Sequence, residues 1–186
     1  MKVSLNQIAQ ISIGASLSRY SKKYEGEKQK TDVLYCTVDE FYTKEGDIAK
    51  DIDSKYLTQK GDVVLKLSEP QVAVSIDGNS DIPENVLVSS KFVIIKPIDV
   101  DSTFLAELLN SSIARNQIQK FSEGVIKQIK KSDVEKLKFE IPSMEEQKKY
   151  VEIIQLINKE IALQKKLIIE NRNLKEAIIQ ETQGGE

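Results

Sequence analysis

The pattern of apolar and polar positions changes character at residue 142. Before it, short apolar runs are separated by turn formers; after Pro142 neither glycine nor proline occurs until Gly184. "GDVVLKL" (61–67) and "QVAVSID" (71–77) flank the break "SEP", and "SKFVIIKP" (90–97) follows the turn-rich "DGNSDIPEN" (77–85). β-Branched residues bounded by Gly, Pro, Asn and Asp predict three strands here. "VLYCTV" (33–38), "GVIKQIK" (124–130) and "KFEI" (138–141) predict further ones. In "DSTFLAELLNSSIARNQIQKF" (101–121) apolar residues recur at spacings of three and four. That predicts a helix capped by Asp101 or Ser102, with a break near Asn110. Strands outnumber helices and do not alternate with them, which argues for a mixed, strand-rich α+β domain rather than a doubly wound sheet.

The last segment is one long helix by the same reading. Ser143 and Glu146 have the spacing of a capping box, in which each side chain accepts a hydrogen bond from the other residue's amide. Tyr150, Ile154, Ile157, Ile161 and Ile168 then form one stripe, with Gln164 and Asn171 at its polar positions. Leu163, Leu167, Leu174 and Ile178 form a neighbouring stripe, a coiled-coil-like pattern. A helix of about 40 residues is about 60 Å long, against roughly 30 to 40 Å for a domain of the preceding residues. Much of it is therefore expected to project and to need a partner for its apolar face. The alternatives are a fold back onto the domain, or an intrachain hairpin at "ENRN" (170–173). The expected organisation is a domain over 1–142 and a dimerising spacer helix over 143–183.

Composition removes several classes of chemistry. There is no histidine, so His-dependent triads and zinc sites are out. Neither common Gly-rich phosphate loop occurs. "DGNSD" (77–81) starts like a calcium loop, but Ile82 and Val88 stand where that loop needs Gly and Glu, so a hairpin turn is expected. "EQK" (146–148) has the spacing of a nuclease half-motif, but it lies in the capping turn and lacks a companion Asp on a strand. An enzyme is left without a visible site, and no cofactor is expected. The single cysteine, Cys36, fits a small buried hydrophobe in a reducing compartment. No run of apolar residues approaches the roughly 20 that span a bilayer, and "MKVSLNQIAQ" is too polar for a signal peptide. A cytoplasmic protein with no membrane contact follows.

Charge is informative only locally, because 27 basic and 29 acidic residues leave a net charge of -2. "RYSKKYEGEKQK" (19–30) carries five basic residues against two acidic ones, with Tyr20 and Tyr24 interleaved. Such a loop is suited to phosphates, through its cations and hydroxyls. A second basic stretch holds Lys127, Lys130, Lys131, Lys136 and Lys138, whereas "DEFYTKEGDIAKDID" (39–53) is acidic. A solvated face is the alternative for each basic run, and two such runs beside a partner-seeking helix favour DNA.

The order of these elements resembles the specificity subunits of type I restriction-modification systems. "LNQIAQISIGASLSR" (5–19) looks like the family's opening, a short helix leading into a strand and a Gly-containing loop. "KGDVVLKLSEPQVAVSI" (60–76) and "LVSSKFVIIKP" (87–97) resemble its next strands. The passage from "FLAELLN" (104–110) through "KFEIPSMEEQKKY" (138–150) resembles its helix, strand, Pro, Glu-Gln pair and long helix. The resemblance implies a non-catalytic half-subunit with one target-recognition domain. Such a chain would form a homodimer, read a bipartite double-stranded DNA target, and recruit methyltransferase and restriction subunits. A scaffold or regulator that dimerises through its helix without binding DNA is the rival reading.

The family's recognition loops are variable, so the candidate DNA contacts are selected by charge and expected exposure. They are Arg19, Tyr20, Lys22, Lys23, Lys28 and Lys30, followed by Lys66, Ser68, Ser90, Lys91, Lys127 and Gln128. The candidate dimer contacts are Tyr150, Ile154, Ile157, Ile161, Gln164, Leu167, Ile168, Asn171, Leu174 and Ile178.

Overall fold

The computed structural model describes residues 1–21, 23–38, 40–77, 82–121 and 128–183. The chain divides into two compact units, Met1–Gln147 and Lys148–Glu186. The first opens with β1 (Val3–Ser4), the single turn α1 (Leu5–Ile8), β2 (Ala9–Ile13) and the short helix α2 (Leu17–Tyr20). Two nine-residue strands, β3 (Lys28–Cys36) and β4 (Phe41–Ala49), follow as a ribbon, and a 3₁₀ turn (Ser54–Tyr56) leads on from it. Next come β5 (Val63–Lys66), β6 (Ala73–Ser75), β7 (Phe92–Pro97), α3 (Ser102–Asn110) and α4 (Ser112–Ile118). Then α5 (Lys131–Val134) and β8 (Lys138–Phe139) precede the long helix α6 (Met144–Gln183).

An antiparallel sheet of order β2-β7-β5-β6 is the centre of the first unit. Because side chains alternate across a strand, its two faces build two cores. Val63, Leu65, Val93 and Ile95 pack with Leu105, Leu109, Ile118, Leu137 and Phe139. Val64, Phe92 and Ile94 pack with Leu34, Ile76, Val86 and Val88. Covered on both faces, β5 and β7 read in the sequence as unbroken apolar runs rather than as alternation.

The strands expected at 61–67, 71–77, 90–97 and 138–141 are β5, β6, β7 and β8. "VLYCTV" is only the last part of β3, and its partner β4 was not expected at all. β4 lies inside the acidic stretch, where Lys44, Glu45, Gly46 and Asp47 interrupt the strand formers on either side. It pairs with β3 throughout, from Lys28↔Ala49 to Cys36↔Phe41. Most of the turn expected at 77–81 lies outside the described residues, as does most of "GVIKQIK", whose Gln128 makes an isolated bridge to Ser68.

Asp101 caps α3, accepting from the Phe104 amide at 3.0 Å. The helix breaks where expected. The Asn110 side chain turns to β6, accepting from the Ala73 amide (2.7 Å) and donating to the Ala73 carbonyl (2.9 Å). The capping box at α6 is formed as well: the Ser143 amide donates to Glu146 Oε2 (3.0 Å) and the Glu146 amide to Ser143 Oγ (3.4 Å). From there α6 runs 40 residues, straight through "ENRN", so the intrachain hairpin is not adopted.

The first turn of α6 belongs to the first unit because of Gln147, which is 1% exposed. Its Oε1 accepts from the Asp101 amide at 2.8 Å and its Nε2 donates to the Pro142 carbonyl at 2.9 Å. Gln147→Ala leaves both groups without that partner. It is expected to cost roughly 2–4 kcal/mol, read as a lowered urea midpoint followed by tyrosine fluorescence. A midpoint unchanged from wild type would mean that water replaces the side chain.

Candidate nucleic-acid interface

The sheet order gathers three connections at one edge. Ile13 at the end of β2 pairs with Val93, and Lys66 at the end of β5 pairs with Phe92 at the start of β7. The segments leaving β2 and β5 and entering β7 therefore emerge side by side, and they are stitched together by main-chain bonds. Leu67 N donates to Lys91 O (3.0 Å), Ser90 N to Ala15 O (2.8 Å), Ala15 N to Val88 O (2.8 Å) and Ile129 N to Leu67 O (3.0 Å). Gly14 permits the crossing: a Cβ there would lie 2.2 Å from the Ser89 carbonyl oxygen and 2.5 Å from that of Val88.

Of the sequence candidates, Ser68, Ser90, Lys91 and Gln128 meet at this edge, all exposed. Arg19, Tyr20 and Lys23 follow directly from it on and after α2. This helix is held by Leu17 and Tyr20 against a small core of Ala15, Val33, Ile48 and Leu87. The Tyr20 ring lies 5.9 Å from that of Tyr56, whose other neighbour is the Lys55 ammonium at 4.9 Å. Arg19 and Lys23 are exposed and have no ion pair among the described residues. Lys55 and Tyr56 were missed by the sequence reading, since nothing local to "SKY" marks them; only the packing of α2 brings them here.

Three candidates fare differently. Lys66 is only 8% exposed, and its ammonium donates to the carbonyls of Thr37 (2.9 Å) and Val38 (3.2 Å). It braces the β3–β4 turn instead of facing a phosphate. Lys30 is exposed but lies 3.0 Å from Asp47 and 3.5 Å from Glu45. The hydrogen bond to Asp47 raises its pKa, and the two carboxylates neutralise it. Lys28, at the far end of the ribbon opposite Ala49, is exposed and without an ion pair among the described residues. Lys22 and Lys127 lie outside the described residues.

In the second basic stretch Lys130 is exposed and without an ion pair among the described residues, while two of its neighbours are paired. Lys131 pairs with Glu135 (3.2 Å) and Lys136 with Asp133 (3.9 Å) within their own turn. Lys138 instead lines a separate groove of about 420 Å³ with Lys2 and Lys120. Among the described residues no group of His, Cys, Asp or Glu could hold a metal ion, and no helix is long and apolar enough to cross a membrane. In the second unit the side chains of Ile157, Ile161, Gln164, Leu167, Ile168, Asn171, Leu174 and Ile178 are all exposed in the single chain. Tyr150 is exposed and Ile154 half-buried.

Comparison with known proteins assigns this architecture. The model of the "Type I restriction modification DNA specificity domain" matches residues 1–171, which spans the sheet, the loop edge and most of α6. The chain belongs to this family. A search of curated proteins finds no match. Among solved structures, the specificity domain is similar to a chain from a study of complex assembly and conformational transition of the type I R-M system (17% identity, TM-score 0.67). It is also similar to the HsdS subunit from Thermoanaerobacter tengcongensis (16%, 0.66) and to the type I S subunit from M. genitalium (16%, 0.58). These matches cover 97%, 97% and 95% of this chain but only 45%, 47% and 43% of theirs. The specificity domain thus spans less than half the length of the solved structures it matches, and at such identities the likeness is one of fold.

The brace at Lys66 separates a structural from a DNA-binding role. Lys66→Met is expected to cost about 1.5–3 kcal/mol of stability through the lost charged hydrogen bonds, measured by urea denaturation. The salt dependence of any DNA binding should stay as in wild type. A shallower salt slope in the variant would restore Lys66 to the list of phosphate contacts.

Proposed function

We propose that this chain is the DNA-reading component of a type I restriction-modification system, a half-subunit that performs no chemistry of its own. Residues 1–142 act as the target-recognition domain and 143–183 as a dimerising spacer. Two copies, related by a two-fold axis, present the same loop edge twice and so read a target of two half-sites at a fixed separation. Methyltransferase and restriction subunits dock on that assembly, which works on double-stranded DNA in the cytoplasm.

The observation that carries this reading is the loop edge of the first unit. Its exposed Arg19, Lys23 and Lys91 have no ion pair among the described residues, unlike Lys30, Lys50, Lys55, Lys131 and Lys136, which are held by carboxylates. Unpaired cations on converging loops are what phosphate contact requires. The dimer rests on the α6 stripe, where each Ile or Leu left wet forgoes up to roughly 1.5–3 kcal/mol of burial.

Two measurements test the two halves of the proposal. Binding to duplex DNA should weaken linearly in log affinity against log salt, and Arg19→Ala or Lys23→Ala should each reduce the slope by about 0.9. Absence of salt-dependent binding by the wild-type chain would favour the scaffold reading. In light scattering, the wild type should run as a dimer at micromolar concentration and the double variant Ile157→Asp, Ile161→Asp as a folded monomer. A dimer that survives in the variant would place the contact elsewhere.

A further inference from the structure

The ribbon of β3 and β4 sorts its side chains by chemistry. Residues directly opposite in an antiparallel pair share a face, so Gln29, Thr31, Val33 and Tyr35 lie with Ile48, Gly46, Lys44 and Tyr42 on the front. Leu34 and Cys36 lie with Thr43 and Phe41 on the back, where Leu34 is buried and the Phe41 ring sits 6.0 Å from that of Phe92. The ribbon is therefore bolted to the central sheet by its back.

The charges divide in the same way. All three acids of the two strands, Asp32, Glu45 and Asp47, stand on the back, where the last two hold Lys30. The front carries one charged residue, Lys44, which is exposed and without an ion pair among the described residues. Beside it Tyr42 is 45% exposed, with its ring stacked on Tyr35 at 5.6 Å between centroids and 20° between planes. At the turn Val38 is 67% exposed, yet its main chain is held by Lys66. α2, bearing Arg19, packs on the same face through Leu17 and Tyr20.

Resting on the reading of the chain as a DNA-recognition component, we propose that this ribbon is its major-groove reader, with Tyr42 and Lys44 as specificity-determining residues. A two-stranded ribbon fits the groove, which is about 12 Å wide. The front offers a hydroxyl that both donates and accepts and an ammonium suited to guanine O6 and N7, and at the turn the exposed Val38 adds methyls suited to the thymine methyl. A front face free of carboxylates admits the negatively charged duplex, and the Lys66 brace and the Tyr35 stack order the reading groups before binding, which lowers the cost of ordering them on the DNA.

The test uses the full chain and a pool of duplexes with a randomised core. Wild type selects a preferred duplex, and its affinity for that duplex is compared with that for a scrambled one. Tyr42→Phe and Lys44→Gln keep the ring stack and the strand pairing, which thermal melts verify. Each is expected to reduce the preferred-to-scrambled ratio roughly 5- to 150-fold while leaving affinity for the scrambled duplex within about threefold. An unchanged ratio in both variants, or an equal loss on both duplexes, overturns the ribbon as reader while wild-type selection still supports the DNA-binding reading. A wild type that selects and binds no duplex overturns both.

Discussion

Strands β5 and β7 have no wet face: Val63, Val64, Leu65, Val93, Ile94 and Ile95 are all 0% exposed. Two layers must therefore be packed on the sheet at once, the helices α3 and α4 on one side and the β3–β4 ribbon with residues 82–88 on the other. The rest of the first unit follows from this double burial. It fixes the back of the ribbon through Leu34 and Phe41, while on the front Val33 and Ile48 pack under α2 and Tyr42 and Lys44 stay exposed, and it brings three connections out along a single edge. The stiffness of that edge derives from the sheet below it, through main-chain bonds that tie Ala15, Leu67, Lys91 and Ile129 together.

Pairing, more than composition, decides where the protein is electrostatically available. The sequence contains nearly equal numbers of both signs, and linear runs of lysine suggest patches that the fold then cancels. Lys30 is answered by Asp47 and Glu45 across the ribbon, and Lys131 and Lys136 by acids one turn away. Lys66 is consumed internally. Among the cations that remain open, Arg19, Lys23, Lys44 and Lys91 come from separate stretches of the chain. An acidic stretch thus supplies both the partner of Lys30 and, one residue from Glu45 but on the other face, the open ammonium of Lys44.

The second unit obeys a simpler rule. A long helix without glycine or proline, started by a reciprocal cap, forms from local information alone. Its apolar residues, among them Ile157, Ile161, Leu167 and Ile178, are exposed in the single chain. The start of α6 is set by two devices: the Ser143 and Glu146 box determines which residue begins it, and buried Gln147 secures its first turn to Asp101.

What the sequence determined by itself was whatever depends on neighbours in the chain: the four apolar strands, the caps at Asp101 and Ser143, the break at Asn110 and the uninterrupted last helix. The order of these elements was also enough to resemble the family to which the chain belongs. The tertiary structure alone decided the rest. β4 is a strand because β3 offers it a complete ladder, not because Thr-Lys-Glu-Gly-Asp prefers one. Lys66 is a brace because its strand is buried, and Tyr56 joins Tyr20 because α2 folds over Val33. Exposure, ion pairing and the choice of ribbon face depend on residues tens of positions apart, and no local periodicity encodes which of them will meet.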